Sequence, residues 1–133
     1  MTYDVTLRVC GPVNPAALMA AVVQAAGGRG RVKRKTFGDI TMLRADAPAC
    51  RVSVHYPTQG GIYPAEPAPG DRLPPTYAVV LLVSGSGRRQ QERQLQAVFD
   101  IGRWLEQRET PWAWCDPQDG GRWIISGRSA GQG

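Results

Sequence analysis

The chain has 133 residues, enough for one domain with its own core and no disulfide or metal staples. Its 42% apolar and 20% charged residues exclude wholesale disorder, and no unbroken apolar run, Tyr77 to Val83 included, approaches the roughly 20 residues that span a bilayer. The formal charge of +5 rests almost wholly on arginine, and it speaks to partners only where it is clustered.

The start, Met-Thr-Tyr-Asp-Val, lacks a basic segment followed by an apolar one, so a cytoplasmic protein is expected. Cys10, Cys50 and Cys115 are odd in number, far apart and never in a C-x-x-C pair, which points to buried thiols rather than to a disulfide framework or a zinc site.

Tyr3 to Val9 alternates apolar and polar residues, the period of a strand with one covered face. Gly11-Pro12-Val13 ends it, Asn14 caps and Pro15 opens a helix that runs through Ala16 to Ala26 and stops at Gly27-Gly28. Leu18, Val22 and Ala26, widened by Met19 and Val23, form its apolar stripe. Arg31 to Arg44 reads as a bent strand or as a hairpin around Phe37-Gly38-Asp39. In Arg51 to Tyr56, Val52, Val54 and Tyr56 share one face and His55 the other.

The stretch 57–75 is too rich in Pro and Gly for a helix or a sheet interior and reads as a long surface loop. Tyr77 to Val83 shows no alternation, as expected of a central strand covered on both faces. A helix follows from about Arg88 to Gln107, with Leu95, Val98, Phe99, Ile101, Gly102 and Leu105 at helical spacing. Trp112 to Cys115 forms a short strand, 116–121 a turn, and Arg122 to Ile125 a last strand. The list predicts a single α+β domain over 1–126 with a flexible tail at 127–133. Its simplest packing is an antiparallel sheet of about five to six strands with two helices on one face, the ferredoxin-like or split β-α-β layout.

No complete catalytic or metal constellation is visible. His55 is the only histidine, Cys50 precedes it by five residues and so falls on the opposite side of a regular strand, and the carboxylates do not pair as acid and base. Asp116 and Asp119 lack the spacing of a calcium loop. No cofactor is expected.

Three groups carry binding chemistry. Ser84, Gly85, Ser86, Gly87, Arg88 and Arg89 join a central strand to a helix start, where free backbone N–H groups suit an anion; turn formation and capping by Ser86 are the alternative. Arg29, Arg31, Lys33, Arg34 and Lys35 form the densest basic run, which suits phosphate backbones or simply guards a strand edge. Trp112, Trp114 and Trp123, with Asp116 and Asp119 in the turn between them, form either the closing wall of the core or a partner surface.

The segment Leu95 to Ile125, a helix leading through an aromatic strand into Asp116-Pro117-Gln118-Asp119-Gly120-Gly121-Arg122-Trp123, resembles the end of small α/β immunity proteins of bacterial polymorphic-toxin systems. The resemblance implies a non-catalytic antidote that covers a toxin's active or binding surface. Inhibitors of nucleases tend to be acidic and this chain is basic, so the implied toxin is acidic or not a nuclease. The favoured expectation is therefore a cytoplasmic protein-binding protein, monomeric or homodimeric, with the toxin as partner. The other is a nucleic-acid or anion-binding module in which the 29–35 run and Arg88 and Arg89 share a surface.

Overall fold

A computed structural model describes residues 3–64, 73–84, 87–116 and 123–125. The elements are β1 (Tyr3–Val9), α1 (Pro15–Ala25), β2 (Lys33–Phe37), β3 (Ile40–Asp46), β4 (Arg51–Pro57), β5 (Ala78–Ser84), α2 (Arg88–Gln107), β6 (Trp112–Cys115) and β7 (Trp123–Ile125). The strands form one seven-stranded sheet in the order β2-β3-β4-β5-β1-β6-β7, antiparallel throughout. That is more than the five to six strands expected, because the 31–44 stretch is a full hairpin. Gly38, the first of its two connecting residues, takes φ +55°, a left-handed conformation that glycine adopts without strain. The tail at 127–133 lies outside the described residues.

Asn14 caps α1 as its position predicts: the Ala17 N–H donates to Asn14 Oδ1 at 3.0 Å, and Pro15 takes the first helical position. Both helices lie on one face of the sheet. They touch each other, α1 rests on β4, and α2 crosses β5, β1 and β6. Val5, Leu7 and Val9 of β1, Val52 and Val54 of β4, and Val80 and Leu82 of β5 meet Leu18, Val22, Val98, Ile101 and Leu105 in the core between the layers.

The stripe of α2 departs from a reading by hydrophobicity. Its buried residues are Gln94, Ala97, Val98, Ile101, Gly102 and Leu105, whereas Leu95 is half-buried and Phe99 is 48% exposed. Gln94 belongs inside because its Nε2 donates to the carbonyls of Tyr3, at 2.7 Å, and Leu82, at 2.8 Å, joining the helix to two strand ends. Gly102 belongs there because Trp112 lies directly on it: a Cβ at residue 102 would overlap the Cζ2, Cη2 and Cε2 atoms of the indole.

Among the described residues the second face of the sheet carries no helix. In β5 the buried residues are Ala78, Val80, Leu82 and Ser84, under the helices, while Val79, Leu81 and Val83 are half-buried on the other side. The expectation that this strand is covered on both faces is thus met on one face only among the described residues.

Candidate functional site

The pairing register lays the residues of the uncovered face out in rows. One row runs Lys33, Arg44, Ser53, Leu81, Thr6, Cys115, Trp123. The next runs Lys35, Met42, His55, Val79, Arg8, Ala113, and a third runs Asp46, Arg51, Val83, Asp4. Side chains two apart along a strand share a face, so Phe37 and Ile40 extend the surface beyond Lys35 and Met42. The β5 positions of this face are thus aliphatic, its β4 and β1 neighbours are polar or charged, and the β2–β3 side is cationic and aromatic.

All of β2 is exposed, Phe37 by 53%, and Lys35 Nζ sits 4.9 Å from the centre of the Phe37 ring. Lys33, Lys35 and Arg44 thus form a basic corner. Arg34, of the same run, projects to the opposite side of the hairpin, beside Leu43. Arg51 is engaged by Asp46 at 2.8 Å, and this bond holds the Asp46 carboxyl below the usual carboxylate range.

At the middle of the face, Ser53 Oγ and His55 Nε2 share a hydrogen bond of 3.1 Å, and Tyr63 meets the imidazole edge-on with centroids 6.4 Å apart. Ser53 is buried, and among the described residues no carboxylate orients the imidazole, so the pair lacks the third member of a nucleophilic triad. Sequence reading missed Ser53; its i, i+2 spacing from His55 on an alternating strand was the available signal.

Burial lowers the pKa of His55 below its ordinary 6.5. The unfolded chain then binds the proton more readily than the folded one, so stability is full above the unfolded value and falls as pH drops through about 6.5 toward the folded value. Urea midpoints measured between pH 7.5 and 5 should decline, and the decline should be smaller in His55→Gln.

The tryptophans do not form one cluster. Trp112, 6% exposed, is buried against Gly102, and its Nε1 donates to Glu106 Oε1 at 3.3 Å. Trp114 is half-buried on the same face and meets Phe99 edge to face, with centroids 5.9 Å apart. Trp104 is covered on its outer side by Arg108, whose Cζ lies 3.7 Å from the ring centre. Trp123 pairs with Cys115, not with Trp114, and so stands on the uncovered face, where Arg8 lies 4.4 Å from its ring centre. The group of Trp112, Trp114 and Trp123 is therefore divided by the sheet. What faces solvent on the helix side is a small patch of Phe99, Trp114 and Ile124. Asp116 is half-buried, and Asp119 lies outside the described residues.

The cysteines are free. Burial pushes the Cys50 thiol up to about 11, and Cys115 is raised by burial and then by Asp116, the reverse of what a thiolate nucleophile needs. Among the described residues no group of three His, Cys, Asp or Glu could hold a metal ion, and no helix is long and apolar enough to cross a membrane.

The remaining group is at the start of α2. Ser84 is buried at the end of β5, Gly87 occupies the cap position with φ +129°, and Arg88 and Arg89 are exposed in the first turn; Gly85 and Ser86 lie outside the described residues. Arg29 and Arg31 are exposed in the segment that leads into β2. Asp46, Arg51 and Val83 share a row, and a Cβ on Gly30 would touch the Asp46 carbonyl oxygen, so this segment lies at the same end of the sheet as Ser84.

Compared with family models, with curated proteins and with solved structures, the chain finds no match in any of the three.

Proposed function

We propose that the chain is a non-catalytic binding protein whose uncovered sheet face docks an acidic partner protein. The observation that carries this reading is the aliphatic row of β5. Val79, Leu81 and Val83 form a continuous stripe of the kind that a second layer normally covers, and among the described residues no helix covers it. Charge gives the partner's chemistry. Lys33, Lys35 and Arg44 flank the stripe on one side, so a complementary surface carries carboxylates around an apolar centre. At about 4.8 Å between strands and 3.4 Å per residue, β2–β5 with β1 present roughly 500 Å², the scale of one side of a modest protein interface. A second copy of the chain is a poorer occupant, because its basic corner adds like charge to the interface.

Immunity toward a toxin is the most specific form of this reading. It rests on the likeness of Leu95 to Ile125 to immunity proteins and on a surface built for binding rather than chemistry. Reading the core as ferredoxin-like favours the same type of domain. The order β4-β5-β1-β6, with α1 following β1 and α2 following β5, supports a split β-α-β reading in which the β2–β3 hairpin and β7 are strands added at the two edges.

The test is binding to the product of a neighbouring toxin-like gene, with growth of a deletion strain among sister cells as the readout in vivo. Binding that weakens with salt, and arrest of the deletion strain, are expected. Absence of binding together with normal growth removes the idea. Salt-dependent binding of DNA or RNA below about 50 mM salt, with no protein partner, assigns the basic corner to nucleic acid instead.

A further inference from the structure

The sheet edge at β2 is regular and open. Its pairing with β3 runs without a bulge from Lys33↔Arg44 to Phe37↔Ile40, it holds no proline, and every one of its residues is exposed. Among the described residues no strand pairs with its outer side.

The hydrogen-bond pattern fixes which backbone groups point outward. In an antiparallel pair, bonded and non-bonded positions alternate. The Thr58 N–H donates to the Asp39 carbonyl at 2.8 Å and the Ala47 N–H to the Cys50 carbonyl at 3.2 Å, so β3 bonds β4 through its odd-numbered residues. Pro57, which has no N–H to donate, stands accordingly at a non-bonded position, opposite Ile40. Ile40, Met42 and Arg44 therefore turn their backbone groups to β2 and bond Phe37, Lys35 and Lys33. The N–H and C=O of Arg34 and Thr36 are directed away from the sheet, ready to pair with one more strand.

Charge selects that strand. On one side of β2 stand Lys33 and Lys35 with Arg44 behind them, and on the other stand Arg34 and Thr36 with Leu43 and Thr41 behind. Asp39 lies in the turn, beyond the paired residues. A second copy paired edge to edge sets these cations against one another, which opposes association. A strand with carboxylates at alternate positions instead places them opposite Lys33 and Lys35, where facing opposite charges favour pairing, and passes neutral residues by Arg34 and Thr36. The same lysines that bar self-association thus admit an acidic strand.

We infer that β2 takes up an extended acidic segment of the partner protein as an added antiparallel strand, held by backbone hydrogen bonds to Arg34 and Thr36 and by carboxylates on Lys33 and Lys35. This rests on the reading of an acidic partner and extends its contact from the sheet face to the sheet edge.

The test is titration of the full chain with a short synthetic peptide in which Glu alternates with Val and Thr, followed by amide NMR and hydrogen exchange. At about 50 mM salt it should bind saturably with a dissociation constant of about 1 mM or tighter. Exchange should slow at the Arg34 and Thr36 amides and stay unchanged at Lys33, Lys35 and Phe37, which already bond β3. The same peptide N-methylated at its Val and Thr residues keeps its charge but loses the donors that face β2, and should bind at least about tenfold more weakly. Thr36→Pro, which an edge strand tolerates where the N–H faces outward, should weaken the parent peptide as much while the β3–β4 amides keep their shifts. Equal binding of the two peptides, or no protection at Arg34 and Thr36, would overturn strand addition in favour of plain charge attraction. A short DNA strand that binds the corner when the peptide does not would overturn it in favour of nucleic acid. Binding of the toxin-gene product that Thr36→Pro leaves unchanged removes strand addition alone, whereas peptide binding without any binding of that product removes the sheet-face reading alone.

Discussion

Gly102→Ala should destabilise the domain by about 1–3 kcal/mol, as expected of overpacking in a filled core. In an exposed helix the same change is favourable by about 1 kcal/mol, because alanine is the better helix former. The reversal of sign comes from Trp112, whose Cζ2, Cη2 and Cε2 atoms occupy the space of the new methyl group. The ring cannot step aside cheaply. Its nitrogen is tied to Glu106, and its backbone is paired with Val9 of β1.

Trp112→Leu removes the obstructing ring and costs about 3 kcal/mol by itself, the scale of a large-to-small core change. In that background Gly102→Ala should be neutral or stabilising. The two sites are thus strongly coupled, and a double-mutant cycle by urea denaturation measures the coupling. A Gly102→Ala variant more stable than the parent would mean that Trp112 does not rest on α2.

Reversing the basic corner, with Lys33→Glu, Lys35→Glu and Arg44→Glu together, should weaken binding of the acidic partner at least about 100-fold, because like charges then meet across the interface. Stability should change little by comparison. All three side chains are exposed, so each costs within about 0.5 kcal/mol. Arg34→Glu is the internal control. It sits on the strand of Lys33 and Lys35 and changes net charge as much as any one of the three, but it projects to the other side of the hairpin. If the sheet face is the interface, Arg34→Glu lowers affinity by less than about threefold. An effect as large, per charge, as that of the corner would mean that overall charge alone attracts the partner.

Much of this fold is written in local patterns. The alternation of Tyr3 to Val9, the Asn14-Pro15 start of α1 and the Arg88 to Gln107 span of α2 are present in the structure because each depends on neighbouring residues alone. Features set by tertiary contact were hidden. Gln94 reads as a surface residue until the Tyr3 and Leu82 carbonyls are placed beside it, and Phe99 reads as core until α2 is seen to turn it toward the edge. The face of Trp123 was not legible because it depends on the register across the turn, which pairs it with Cys115 and not with Trp114.

The candidate site was legible in part, for the same reason. The basic run and the Ser84 to Arg89 segment stand out in sequence, but only the register separates Lys33 and Lys35 from Arg34 and adds Arg44 to them. Likewise, the apolar run of β5 states that both its faces want cover; whether the second cover is this chain or another lies in no local pattern.

The central claim is that the uncovered face is where a partner sits. Its most direct test is calorimetric titration of the parent chain and of the Lys33→Glu, Lys35→Glu, Arg44→Glu variant with the product of the neighbouring toxin-like gene, at about 150 mM salt. Saturable binding by the parent, abolished or weakened at least about 100-fold in the variant, is the predicted result. Equal binding by both chains, or binding lost instead on Phe99→Ser or Ile124→Ser in the patch beside Trp114, would contradict it.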